Sequence, residues 1–194
     1  MKFASRLIAV AVLSLPIAAL AQSTASEVQR NINQQNRIEQ GLKSGELTTS
    51  EAARLEREQS QVNRMESRAL KDGTLTDAEK ARINRAQNRV SQDISRDKHN
   101  AAKGDPNSAS SQRMQADVQR NINQQQRVEQ GVKSGELTNR EVSKLERGQA
   151  HTERREARAG RDGYVGAHEQ QRIQSAENHQ SRRIYRQKHD GQTK

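Results

Sequence analysis

The 194-residue sequence contains no cysteine and no tryptophan, one phenylalanine, two tyrosines and two prolines. Without cysteine there is no disulfide to support a small core and no thiolate nucleophile. With so few rings there is little to stack on nucleic-acid bases. Apolar residues are 30% of the chain, against about 45–50% (glycine included) in ordinary globular proteins. Many of these, with the single Phe3, fall in the first 21 residues. So thin a supply excludes a β-sandwich, a doubly wound α/β sheet or a deep apolar pocket, all of which bury more apolar surface. It leaves helical rods, thin bundles or partial disorder.

The first 21 residues read as a secretory signal peptide. Lys2 and Arg6 form a cationic start, Leu7 to Leu15 is apolar, and Ala19-Leu20-Ala21 is a small-x-small cleavage site. The apolar run is shorter than the roughly 20 residues of a spanning helix, and no second run follows. Cleavage after Ala21 would leave a formal charge of +8, from +10 for the whole chain. The expected address is periplasmic or secreted, with no transmembrane segment after cleavage.

The dominant feature is a duplication. Val28 to Gln35 recurs as Val118 to Gln125, and over 28–99 against 118–189 an ungapped alignment has 39 identities in 72 positions. Between the copies lies a stretch of small polar residues around Pro106, which reads as a flexible linker. The expected organisation is a signal peptide at 1–21, a first unit at 22–100, a linker at 101–113 and a second unit at 114–194. A shorter period hides within each copy: Leu42-Lys43-Ser44-Gly45-Glu46-Leu47-Thr48 matches Leu70-Lys71-Asp72-Gly73-Thr74-Leu75-Thr76. The unit is a helix followed by a fixed turn, used twice.

Segments between these turns lack proline and are dense in Gln, Glu, Arg and Ala, which are good helix formers. The expected fold is all-α: two homologous three-helix units of long antiparallel helices, joined by the linker. In the first copy the helices fall near 25–43, 48–71 and 76–99. Ala52, Leu55, Val62, Met65 and Ala69, then Ile83, Ala86, Val90 and Ile94, form narrow stripes at three–four spacing. Gln35, Gln59 and Glu66 interrupt the seams, which suggests loose packing.

Gly45, Gly73, Gly135 and Gly163 suit the left-handed residue that closes a helix. Thr48, Thr76 and Thr138 then offer N-cap oxygens, with Glu51, Glu79 and Glu141 completing capping boxes. The fourth turn has Gly166 in place of threonine but keeps Glu169. Copy two has Thr152, Arg155, Gly160 and Gln180 where copy one has Val62, Met65, Leu70 and Val90. Each aliphatic side chain lost is worth about 1.5–3 kcal/mol when fully buried, so copy two is expected to be less stable and to melt separately.

The string Arg37 to Thr48, with its partner at 127–138, resembles a set of uncharacterised exported bacterial helical-repeat proteins. That resemblance implies an address and helical repeats and carries no activity. The Leu-Thr-x-x-Glu strings at Leu47, Leu75 and Leu137 are similar to the Leu-Thr-x-x-Gln motifs of periplasmic stress chaperones. The turns also resemble the back half of EF-hand loops, which would make Glu51, Glu79, Glu141 and Glu169 the candidate metal ligands. The first and third positions of those loops hold no acidic residue: in the first loop they are Gln40 and Leu42. The five histidines show no i, i+4 pair suited to a metal. The basic tail offers Arg182, Arg183, Arg186 and Lys188 for a polyanion, although bases and acids are otherwise interspersed.

No nucleophile elbow, phosphate loop or His-Glu-x-x-His string is present. Carboxylates on thin helices are expected to stay exposed, with little to raise their pKa. The expected function is therefore non-enzymatic and without a cofactor: an exported interaction or stress-protective protein. Its partner would be a protein or an envelope component, with nucleic acid disfavoured and a homo-oligomer open. The alternatives are a divalent-cation-responsive protein using the four turns, and polyanion or envelope-surface binding through basic helices.

Overall fold

A computed structural model describes residues 17–191, with side chains from Gln22 onward. The expected signal peptide lies outside the described residues, apart from the backbone of 17–21. Among the described residues there are six α-helices: α1 (Ile17–Ser44), α2 (Thr49–Ala69), α3 (Asp77–Lys98), α4 (Ala109–Ser134), α5 (Asn139–Ala159) and α6 (Ala167–Lys188). There is no strand among the described residues. The protein is an all-α helical bundle.

Helix ends follow from the turn residues. Gly45, Gly73, Gly135 and Gly163 take φ of 72°, 96°, 81° and 89°, the left-handed region where glycine has no Cβ penalty. Thr48, Thr76 and Thr138 accept from the backbone N–H of Glu51, Glu79 and Glu141, and each glutamate carboxylate accepts in return from the cap N–H. At the fourth turn only the glutamate half survives, with the Gly166 N–H donating to Glu169 Oε2 at 2.9 Å. After α2 and α5 the chain tightens into 3-10 turns, Leu70–Asp72 and Gly160–Asp162, before the left-handed glycine.

The two copies are not successive bodies. Helix α1 packs chiefly against α4, and α2 against α5, while α3 lies along α1 and α2, and α6 along α4 and α5. Four helices, two from each copy, make the centre, and the third helix of each copy flanks it. Ser50 Oγ at the start of α2 donates to Arg161 O beyond the end of α5, and Ser143 Oγ near the start of α5 donates to Ser67 O near the end of α2. The α2–α5 pair is therefore antiparallel. Stripe residues Ala52, Leu55, Val62, Ala69, Ile83, Ala86, Val90 and Ile94 are buried as the spacing predicts, with Met65 partly buried against them.

Two expectations change here. The segment expected to be a flexible linker is strapped down. The Gly104 N–H donates to Gly45 O at 3.0 Å, Asp105 Oδ1 accepts from the Asn107 N–H at 2.9 Å, and Ser108 caps α4. Residues 109–113, assigned to the linker, form the first turn of α4. The second expectation, separate melting, falls because the copies share one core. The apparent loss at Gly160 illustrates this. A Cβ there would lie 2.5 Å from Met114 Cε and 2.9 Å from Ala53 Cβ. In copy one the corresponding residues are Thr24 and Leu70, which line a common void. Small-plus-large in one copy is exchanged for large-plus-small in the other, so the loss at Gly160 is partly offset at Met114.

Heating is expected to give one cooperative transition by both circular dichroism and calorimetry. In urea denaturation, Gly160→Leu should cost about 1–3 kcal/mol by overpacking against Met114. The double variant Met114→Thr/Gly160→Leu, which restores the copy-one pair, should recover most of that loss. A double variant weaker than the single one would show that the two positions do not share space.

Candidate functional site

The interior between the copies is polar. Helical period places Gln34, Gln35, Gln59, Asn63 and Glu66 on the faces that also bury Ile38, Leu55 and Val62. Their counterparts Gln124, Gln125, Gln149, Glu153 and Glu156 are buried as well. The residues expected to loosen the seams instead bond across them. Gln35 Nε2 donates to Glu56 Oε2 at 3.0 Å, and Gln125 Nε2 to Glu146 Oε2 at 3.1 Å. Asn31 Nδ2 reaches both oxygens of Glu66, at 3.0 and 2.8 Å, and Asn121 Nδ2 donates to Glu156 Oε2 at 2.8 Å. Gln59 Nε2 donates to Gln34 Oε1 at 3.0 Å.

The buried acids form two clusters, each drawn from both copies. In the first, Glu56 of α2 meets Asp117 of α4, Glu153 and Glu156 of α5 and, through Asp117 and Glu156, Glu177 of α6. The second holds Glu146 of α5 with Glu66 of α2 and Glu27 of α1. There Gln87 stands at the position corresponding to Glu177, and its Nε2 donates to Glu66 Oε1 at 3.2 Å. Asn63, the counterpart of Glu153, donates to that residue across the two copies at 2.7 Å.

Cations are scarce inside. Arg120 Nη1 lies 3.2 Å from Glu177 Oε2; the other close donors to these clusters are amides. Glu56 Oε1, Asp117 Oδ2, Glu146 Oε1, Glu153 Oε2 and Glu156 Oε1 are buried and accept nothing. An ionised carboxylate in such a place is costly, and a protonated one becomes a donor to its neighbour. Burial accordingly pushes Glu56 and Glu146 up to about 7, as it does Asp117, and Glu177 to about 8. Burial and the surrounding acids also raise Glu66, Glu153 and Glu156. The expectation that carboxylates stay exposed and unperturbed is corrected for these residues: packing of the two copies against each other encloses them.

The void beside the second cluster, between Thr24, Leu70 and Glu146, is about 10 Å³, room for one water at most. The interior is thus arranged to bind protons.

The candidate ligands Glu51, Glu79, Glu141 and Glu169 are not brought together. Each carboxylate folds back onto its own helix cap, and Glu51 Oε1 also accepts from Asn100 Nδ2 at 2.6 Å. Among the described residues no group of three or more His, Asp or Glu is placed to hold a metal ion. The basic tail residues are also separated. Lys188 pairs with Glu136 at 3.2 Å, Arg182 and Arg186 border one surface hollow with Arg127 and Tyr185, and Arg183 turns into another. The sequence did carry a signal for the interior acids: Glu66 sits in the apolar register of α2. No protein-family model, curated protein or solved structure gives a significant match to the chain.

The pH dependence follows from the raised carboxyl groups. These groups hold protons in the folded state that the unfolded chain releases near pH 4–5, so their contribution to stability is full below that range and is lost as pH rises through about 7 to 8. The melting temperature should therefore drop steadily between pH 5 and pH 8. Glu56→Gln, which keeps the shape without the charge, should raise stability at pH 8 by roughly 3 kcal/mol, the equivalent of its displaced pKa, and flatten the slope. A melting temperature independent of pH would overturn this account.

Proposed function

We propose that the chain is an exported, non-enzymatic helical protein that makes polar contacts in the bacterial envelope and keeps its fold under acid stress. The observation that carries this reading is the interior of buried acids with amide partners and almost no cations. Most folded proteins lose stability in acid because paired carboxylates must be protonated. Here the clustered carboxyl groups, with amide partners, are accommodated in their protonated form, so acid costs these clusters little. The leader-like first 21 residues support export, with Gln22 as the new N-terminus. Among the described residues no helix is long and apolar enough to cross a membrane.

The surface argues for polar partners. The exposed large hydrophobic side chains are Tyr164 and Tyr185, and Tyr185 is stacked on His189 with ring centroids 4.1 Å apart. Holding unfolded chains would need a broader apolar patch.

Two measurements test the reading. Expression in a bacterial host should release a periplasmic or secreted product beginning at Gln22. Deleting the gene in its native host should lower survival after a shift to about pH 4–5, and a copy lacking residues 2–21 should fail to restore it. A product retained with its leader in the cytoplasm, or unchanged acid survival, would overturn the proposal.

A further inference from the structure

The largest local difference between the copies lies in the cleft between their second and third helices. In copy one this cleft is closed and acidic. Val62 and Val90 are buried in it, Met65 packs against them, and Arg54 bridges Glu58 and Asp97. Asp93 adds another acid, paired with Arg96 at 2.5 Å. In copy two every one of these acids is gone: Glu58, Asp93 and Asp97 correspond to Gly148, Arg183 and Gln187. Met65 becomes Arg155 and Gln61 becomes His151.

The outcome is an open hollow of about 430 Å³ between α5 and α6, bordered by Gly148, His151, Arg155, Arg172, His179 and Arg183. No carboxylate lines it, and none pairs with Arg155, Arg172 or Arg183 among the described residues. Gly148 lets side chains of α6 lie against the α5 backbone. A Cβ there would collide with Gln180 Oε1 and stand 3.0 Å from Arg183 Nη1. Gln180 is anchored on α5 by its bond to Leu145 O at 2.8 Å. The field is uncompensated: burial, with Arg154, Arg155 and Arg183 nearby, holds the His151 pKa down.

Three arginines lining one hollow without a carboxylate partner suit a compact, multiply charged anion. The planar fork of arginine matches the oxygen geometry of phosphate, and several forks can share one phosphoryl group. The only rings in the lining are the imidazoles of His151 and His179, and the only aliphatic side chain is Ala176, so charge and hydrogen bonds carry recognition. We propose that the α5–α6 cleft binds a phosphoryl-bearing ligand, either a free oligophosphate or a phospholipid headgroup. The site is distinct from the basic tail as a whole, since Lys188 is committed to Glu136.

The test uses the purified protein at physiological salt, where diffuse attraction is screened. Inorganic triphosphate is one probe; vesicles of phosphatidylglycerol, with phosphatidylcholine as reference, are the other. The variant R155M/R183Q removes two cleft charges. The variant R85Q/R89Q removes two from exposed positions on α3, so both have the same net charge, and circular dichroism checks that each keeps its helix content. Triphosphate should shift the amide resonances of Gly148, Thr152 and His179, and its affinity should fall at least tenfold in R155M/R183Q but less than twofold in R85Q/R89Q. The same contrast with phosphatidylglycerol vesicles alone would assign the ligand to a membrane surface; with triphosphate alone, to a soluble phosphate. Equal behaviour of the two variants toward both probes, or no binding of either, would overturn the proposal.

Discussion

The structure depends on one constraint: amides and carboxyl groups inside a bundle must find partners on other helices. With so few aliphatic and aromatic side chains, six helices can bury their faces only by burying polar groups too. Each buried glutamine or asparagine reaches across to another helix, as Gln35 does to Glu56 and Asn121 to Glu156. Such bonds have defined length and direction, so they fix the register of the helices more tightly than an oily seam would. The remaining carboxyl oxygens need protons, and through them the proton concentration becomes a ligand of the fold.

Duplication supplies the partners. The antiparallel pairing of α2 with α5 brings equivalent positions of the two copies face to face near its middle, as at Asn63 and Glu153. Once paired, the copies are free to diverge in compensating ways. Thr24 and Leu70 are answered by Met114 and Gly160, and Gln87 by Glu177. Divergence that would weaken an isolated three-helix unit is tolerated because the space belongs to both.

The outer helices are under less constraint, since each packs chiefly on its own copy's central pair. There the copies differ in charge and not only in volume. Copy one closes its outer cleft with Val62, Val90 and an Arg54–Asp97 bridge, whereas copy two leaves it open and lined by arginine. A closed copy that stabilises and an open copy that binds is a natural division of labour for a duplicated chain.

The sequence by itself determined the helices and their ends. Capping boxes, left-handed glycines and three–four apolar spacing are local, and the energies that select them act within one or two turns. The buried stripes of α2 and α3 and the caps at Thr48, Thr76 and Thr138 were legible for that reason. Only the tertiary structure decided that α1 lies on α4 and α2 on α5, that Glu56, Glu146, Glu153 and Glu156 are enclosed, and that Arg155 and Arg183 share a cleft. The first two depend on contacts between the two copies, and the last on the packing of α6 against α5. An exposed glutamate and a buried one have the same sequence signature until a second helix covers one of them.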